Sequence, residues 1–218
     1  MNDSKSIELM ENIYEENDRI SENLKNELNS RGIFVINVMG APGVGKTTTI
    51  INIIKGFESL TPYVIEGDIE SDIDTVKLKG LGVDTIQINT YGGCHLDAPL
   101  IENAVKDFAF AKSGVLFIEN IGNLVCPAEF VIGENIKLLI VTVTEGSDKP
   151  YKYPLAFEKA DVIIINKTDL LPYVDFDETY FLKGVKALNK KAPIFQVSNR
   201  NIGSYQGVVK WIEEAAKA

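Results

Sequence analysis

The chain has 218 residues, enough to bury one full core, and its 45% hydrophobic content is that of an ordinary globular protein. A net charge of -9 argues against a general nucleic-acid binder, which carries a basic face, and no apolar run approaches the roughly 20 residues of a membrane span. The polar, acidic start MNDSKSIELMENIYEENDRI is neither a signal nor a transit peptide, so the expectation is a cytoplasmic protein that binds neither nucleic acid nor membrane, with its two cysteines reduced for packing, metal or redox chemistry.

The first predicted element is a helix over 4–29, with Ile7, Met10, Ile13, Ile20, Leu24 and Leu28 at three- or four-residue steps and one longer gap, and with Gly32 as its stop. Strand-like runs follow at 33–39, 63–68, 83–88, 114–120, 136–143, 161–166 and 193–198. They are rich in Val and Ile and mostly continuous, as strands buried on both faces are. Helical patterns lie between most of them, at 45–57, 70–80, 97–112, 153–159, 178–189 and 203–217. This alternation predicts an α/β fold with a mostly parallel sheet flanked by helices. Residues 1–30 form an extra helix, which packs on the α/β unit of 31–218 or serves a partner.

Between the first strand and its helix stands GAPGVGKTT (40–48), a full match to G-x-x-x-x-G-K-S/T. Its backbone, from Gly40 through Ala41, Pro42, Gly43, Val44 and Gly45 to Thr48, turns N–H groups toward phosphate oxygens, and the helix adds its positive end. Lys46 is placed to reach the β- and γ-phosphates, and the Thr47 hydroxyl to ligate Mg²⁺.

The second strand closes on VIEGDIESDID, offering Asp68, Asp72 and Asp74, and the fourth on VLFIENIGN, offering Glu119. Ligands bind at such strand ends. We expect Thr47, Asp68 and Glu119 around Mg²⁺, directly or through water, and Lys46 with these three to carry hydrolysis. Asp72 and Asp74 read equally well as helix caps. Gly122 can offer its N–H to a γ-phosphate and move when that group leaves. No glutamine is placed as in signalling GTPases, so turnover is expected to be slow without a partner.

Cys94, His95 and Cys126 are all the cysteine and histidine the chain owns. Cys94–His95 follows the third strand, and Cys126 lies seven residues past Glu119. In a parallel sheet both loops emerge at the phosphate-loop edge. Thiolate and imidazole suit Zn²⁺ and Ni²⁺; the alternative is burial of two structural cysteines and one structural histidine. Three ligands do not close a tetrahedral site, but two copies across a symmetric dimer supply six.

The sixth strand runs into NKTDL (166–170). N-K-x-D after a buried strand resembles the guanine-reading element of GTPases. Asp169 can accept from guanine N1–H and N2–H₂, a donor pair adenine lacks. The Lys167 stem can cover the base, and Asn166 can tie this loop to the phosphate loop. VSNRN (197–201) stands where a second base loop is expected; its Ser198 fits and the rest is loose.

GAPGVGKTT, EGD, CHLDA, FIENIGNLVCPAEF, VTEGSDKPYKYP and NKTDL, in this order, resemble the HypB family, GTPases that help insert nickel into nickel–iron hydrogenase. The resemblance covers nearly everything from about residue 30 and reaches weakly into the first helix. It implies a dimerising GTPase of the SIMIBI type with GTP/GDP and Mg²⁺. Cys94, His95 and Cys126 match the family's nickel or zinc motif, and Asp68 and Glu119 its switch and Mg²⁺ positions. It also implies a GTP-promoted homodimer, a partner nickel chaperone and the hydrogenase large-subunit precursor as client. With no cysteine before Cys94 and a single histidine, the family's N-terminal cysteine cluster and His-rich stretch are not expected, and Ala41 and Pro42 stand where related dimerising ATPases carry an intersubunit lysine. The rivals are another nickel or cobalamin maturation GTPase, such as the urease one, whose Cys-Pro-His motif this chain lacks, a P-loop small-molecule kinase, and a metal or redox module with a purely structural nucleotide.

Overall fold

The computed structural model describes residues 3–68, 73–90 and 92–217, with side chains for 14–67, 75–90 and 92–217. Seven strands form one all-parallel sheet: β1 (Ile33–Met39), β2 (Thr61–Asp68), β3 (Asp84–Asn89), β4 (Gly114–Glu119), β5 (Ile136–Thr142), β6 (Val162–Asn166) and β7 (Ile194–Gln196). The order is β3-β2-β4-β1-β5-β6-β7. The central strands are buried on both faces, which is why they read as unbroken apolar runs.

Alternate residues of each strand feed opposite layers. Ile36, Val38, Leu138 and Ile140 pack under α2 (Lys46–Gly56), α3 (Ile73–Gly80) and α9 (Gln206–Ala215). On the other face Val35, Leu116 and Ile118 meet α1 (Asp3–Ser30) and α4 (Ala98–Val105). There too Met39, Leu139 and Val141 meet α5 (Cys126–Glu129), α7 (Pro154–Lys159) and α8 (Glu178–Leu188); a one-turn α6 (Lys149–Lys152) precedes α7. Asn37 shares the second face and is fully buried there, a polar residue inside the core.

The first helix packs on the sheet: Leu24 and Leu28 are buried in its core. It stops as expected, with Gly32 at φ 71°. The helix predicted over 97–112 is shorter, because α4 ends at Val105. Phe108 and Phe110 instead turn in against the Tyr63 ring, with centroids at 5.8 and 4.9 Å, and aromatic burial overrides helical spacing. The predicted 203–217 helix opens with a 3-10 turn, Ile202–Tyr205. The start of the predicted 70–80 helix, including Asp72, lies outside the described residues.

β1 lies between β4 and β5, so the chain leaves it toward both sides of the sheet. This is the topological switch point, and the carboxyl ends of β1, β2 and β4 open there into a cleft of about 390 Å³. No described helix is long and apolar enough to cross a membrane.

Candidate functional site

The phosphate loop turns because its glycines take backbone shapes that other residues resist. Gly43 and Gly45 have φ of 75° and 88°, and Gly45 caps α2. A side chain at Gly40 would meet the Ile140 carbonyl oxygen at 2.7 Å. Pro42, Gly43, Gly45, Lys46, Thr47 and Thr48 line the cleft, and Gly122 lines its opposite wall, with room for no Cβ beside Pro42.

The Asn166 amide donates to the Val44 carbonyl at 2.9 Å, and Lys167 Nζ to the Gly43 carbonyl at 2.7 Å. The base-loop candidate is thus tied to the phosphate loop by two side chains, and Lys167 holds a left-handed φ of 58° to do so. Asp169 is oriented from outside its own loop: Ser198 Oγ donates to it at 2.6 Å, and Arg200 Nε lies 3.5 Å from its other oxygen. VSNRN therefore contributes Arg200 as well as Ser198, a residue sequence reasoning passed over because only folding brings β7's exit beside β6's.

Thr47 Oγ1 donates to Glu119 Oε1 at 3.0 Å, and both residues are buried. Glu66 is the register partner of Glu119 on β2 and is also buried. A hydroxyl and carboxylates, hard oxygen donors grouped beside a phosphate loop, fit Mg²⁺. The side chain of Asp68 lies outside the described residues, as do those of Asp72 and Asp74; Glu66 and Lys77 were missed and line the cleft. Glu66 sits two residues before Asp68, so strand alternation was the available signal for it. Thr75 donates a short hydrogen bond to Glu66, attaching the start of α3 to this wall.

The three soft donors meet. Cys94 Sγ is 3.3 Å from Cys126 Sγ and 3.4 Å from His95 Nδ1, and all the ligand atoms lie within 4.8 Å of one another. Both cysteines are reduced, Cys94 exposed and Cys126 half-buried, so the cluster is open to solvent on one side. Local structure explains the placement. Asp97 caps α4 by accepting from Leu100 N at 2.9 Å, and fully buried Leu96 packs where Gly67 leaves space. Those two anchors leave Cys94–His95 on the rim. Cys126 opens the short α5, and the carbonyl oxygens of its Pro127 and Ala128 and of Phe130 just after it receive the buried Lys137 ammonium at 3.1, 3.2 and 2.6 Å. The imidazole stacks on Phe130 at 4.0 Å, and Phe130 on Tyr14 of α1 at 5.0 Å. Burial pulls the His95 pKa down against the attraction of Asp97 and Glu129, which favours the neutral ring, the form that binds a metal. Burial, aided by the Cys94 thiol, pushes the Cys126 thiol up, while the Asn123 amide opposes the rise.

A parallel sheet with a phosphate loop at its switch point and a buried oxygen-donor wall beside it defines a P-loop nucleotide-binding protein. The family model described as CobW/HypB/UreG, nucleotide-binding domain, matches residues 34–196. The hydrogenase maturation factor HypB of Rhizobium leguminosarum bv. viciae is 38% identical over 217 residues, covering 99% of this chain and 73% of that protein. The chain belongs to the HypB family. Among solved structures it is similar to HypB from Helicobacter pylori in complex with nickel, with a TM-score of 0.88, 35% identity and coverage of 93% of this chain and 95% of that one. It is also similar to hydrogenase maturation factor HypB from Archaeoglobus fulgidus, with a TM-score of 0.85, 32% identity and coverage of 92% and 98%.

Proposed function

We propose that this chain is a GTP-hydrolysing nickel chaperone of hydrogenase maturation, acting in the cytoplasm, with residues 31–218 as the GTPase unit and the 1–30 helix as its brace. The observation that carries the reading is the placement of Cys126. It lies seven residues past Glu119 on the segment that passes Gly122, so one stretch of chain joins the phosphate cleft to the soft-donor cluster.

The phosphate loop from Gly40 to Thr48, with Ala41, Pro42 and Val44 shaping the turn, holds the β- and γ-phosphates, and Lys46 neutralises them. Asn166, Lys167 and Asp169 select guanine, with Ser198 orienting the Asp169 carboxylate. Thr47, Glu119 and Asp68 hold Mg²⁺, which when bound draws charge from the phosphate oxygens. Gly122 offers its N–H to the γ-phosphate and is released when that group leaves. Cys94, His95 and Cys126 take nickel as cargo, and zinc where it competes. Their open side leaves coordination positions that a second copy, brought face to face by GTP, fills from its own three donors. Hydrolysis separates the copies and frees nickel toward a partner chaperone or the hydrogenase large-subunit precursor.

The test is a nickel and zinc titration of the purified chain with GDP and with a non-hydrolysable GTP analogue, read by native mass. The expected result is one or two ions per dimer, binding that differs between nucleotides, and loss of metal in Cys94→Ala. Nucleotide-blind binding overturns the coupling, since a ligand with equal affinity for two states shifts neither.

A further inference from the structure

Two asparagine side chains flank Gly122, and both reach back to the loop that carries Cys94 and His95. Asn120 Oδ1 accepts from the Leu96 N–H at 3.1 Å and from the Ile121 N–H at 3.0 Å. Asn123 Nδ2 donates to the Cys94 carbonyl at 3.2 Å, and its Oδ1 accepts from the Val125 N–H at 2.9 Å. The stretch Cys94–His95–Leu96 is therefore held at both ends by residues three apart on the neighbouring segment.

The two attachments differ in what stands behind them. Asn120 continues β4, with its backbone N–H on the Val38 carbonyl at 3.0 Å. Its amide donates to Asn37 at 3.1 Å, and Asn37 faces Glu134 at 3.5 Å. Glu134 in turn pairs with the Lys137 ammonium at 3.4 Å, and all four residues are buried. That end is built into the core. Asn123 lies beyond Gly122, is half-buried, and is held by a single backbone bridge to Gly40 at the mouth of the phosphate loop, where Gly122 abuts Pro42.

We infer that Asn123 is a positioning residue that transmits displacement of the Gly122 segment to Cys94, while Asn120 fixes Leu96 as the pivot. This rests on the nucleotide-coupled nickel reading above. When the Gly122 segment moves, the Cys94 carbonyl is drawn with Asn123 and the Leu96 N–H stays with the sheet. The backbone between them turns, carrying the Cys94 thiol and the His95 ring relative to each other. A rigid loop would shift Cys94 and His95 together and leave the geometry between those two donors unchanged. One fixed and one moving attachment changes it, which is the differential interaction that coupling requires.

Asn123→Asp removes the amide's contact to the Cys94 carbonyl together with its contact to the Cys126 thiol, and only the first links the two segments. The carboxylate still accepts from Val125 N–H but has no donor for the Cys94 carbonyl. Nickel affinity of the full chain is measured against a competing chelator, with GDP and with the non-hydrolysable GTP analogue, alongside the nickel–thiolate absorption band in each state. The expected result is that the ratio of the two nickel Kd values falls about tenfold or to unity, whichever comes first, the effect of one lost hydrogen bond. The absorption band then ceases to differ between nucleotides. Added charge from the new carboxylate alters both Kd values together and leaves their ratio intact, so the ratio separates transmission from simple electrostatics. Asn123→Ala, which adds no charge, must give the same collapse. A full ratio and a nucleotide-dependent band in both variants overturn the proposal and leave the coupled reading standing. Equal affinities in the unaltered chain overturn that reading and this transmission with it.

Discussion

Asp169 shows how much one carboxylate can be made to depend on its neighbours. With Ser198 donating to one oxygen and Arg200 beside the other, the group is oriented before any base arrives. Guanine presents two donors, which a carboxylate accepts and a carboxamide does not. Asp169→Asn therefore weakens GDP binding by about 1.5–3 kcal/mol, roughly ten- to a hundredfold. The same variant gains affinity for a xanthine nucleotide, whose C2 carbonyl accepts from the new amide. Calorimetric titration with both nucleotides checks this, and unchanged GDP affinity would remove Asp169 from base reading. Removing the orienting hydroxyl in Ser198→Ala costs less, about 1 kcal/mol, and leaves the base preference in place. The NKTDL motif made Asp169 and its loop legible in the chain. The Arg200 contact was not legible, because it spans two loops that only the β6–β7 pairing brings together.

At the scale of elements, α1 does more than cover apolar surface. Asn17, nearly buried in its middle, donates to the Val131 carbonyl and accepts from Ala98 N–H, both at 2.9 Å, and Ser21 accepts from Gly133 N–H at 2.8 Å. Val131 follows the helix that opens with Cys126, and Ala98 follows Cys94–His95, so one amide braces both donor loops. Asn17→Ala strands a buried N–H and a carbonyl together and lowers stability by about 2 kcal/mol. The urea midpoint should fall with the slope unchanged. Nickel affinity should also drop, more than in a solvent-facing α1 control such as Glu22→Ala. The apolar spacing of 4–29 announced this helix and its end at Gly32. It said nothing of Asn17, because an asparagine inside a helix reads as a solvated residue until its partners are in place.

At the scale of the whole molecule, Lys137 and Glu134 form a buried ion pair at 3.4 Å that ties β5 to the end of α5. Its ammonium holds the end of α5 through three carbonyls while the carboxylate holds Ile132 N–H at 2.6 Å. Lys137→Met leaves the buried Glu134 carboxylate without its cation, with only the Ile132 N–H and the Asn37 amide as partners, and should destabilise by about 3–5 kcal/mol. Burial sets the Lys137 pKa below its ordinary value, with Glu134 opposing. Between that lowered value and the unfolded one of about 10.4, the unfolded chain binds more protons than the folded chain. The contribution of this group to stability therefore rises as pH climbs through that window, and below it the full cost of burying the charge stands. Unfolding free energies measured across the window should lose this upward slope in Lys137→Met. An equal slope in both proteins would show that the ammonium does not titrate there.

Local patterns determined a great deal by themselves. Continuous Val and Ile runs alternating with helical spacing specify a parallel sheet, because only strands covered on both faces read that way. The glycines and the Lys–Thr pair of 40–48, the NKTDL exit and the sparse Cys94, His95 and Cys126 each carry their chemistry in residue type and order. Tertiary structure alone decided what lies across the gaps between those segments. It set Glu66 beside Glu119 through strand register, Asn37 in the core through strand order, and Asn120 and Asn123 against the Cys94 loop. The physical reason is common to all of them. A short polar side chain has no periodicity or motif of its own, and its role exists only when another stretch of chain supplies the donor or acceptor it must satisfy.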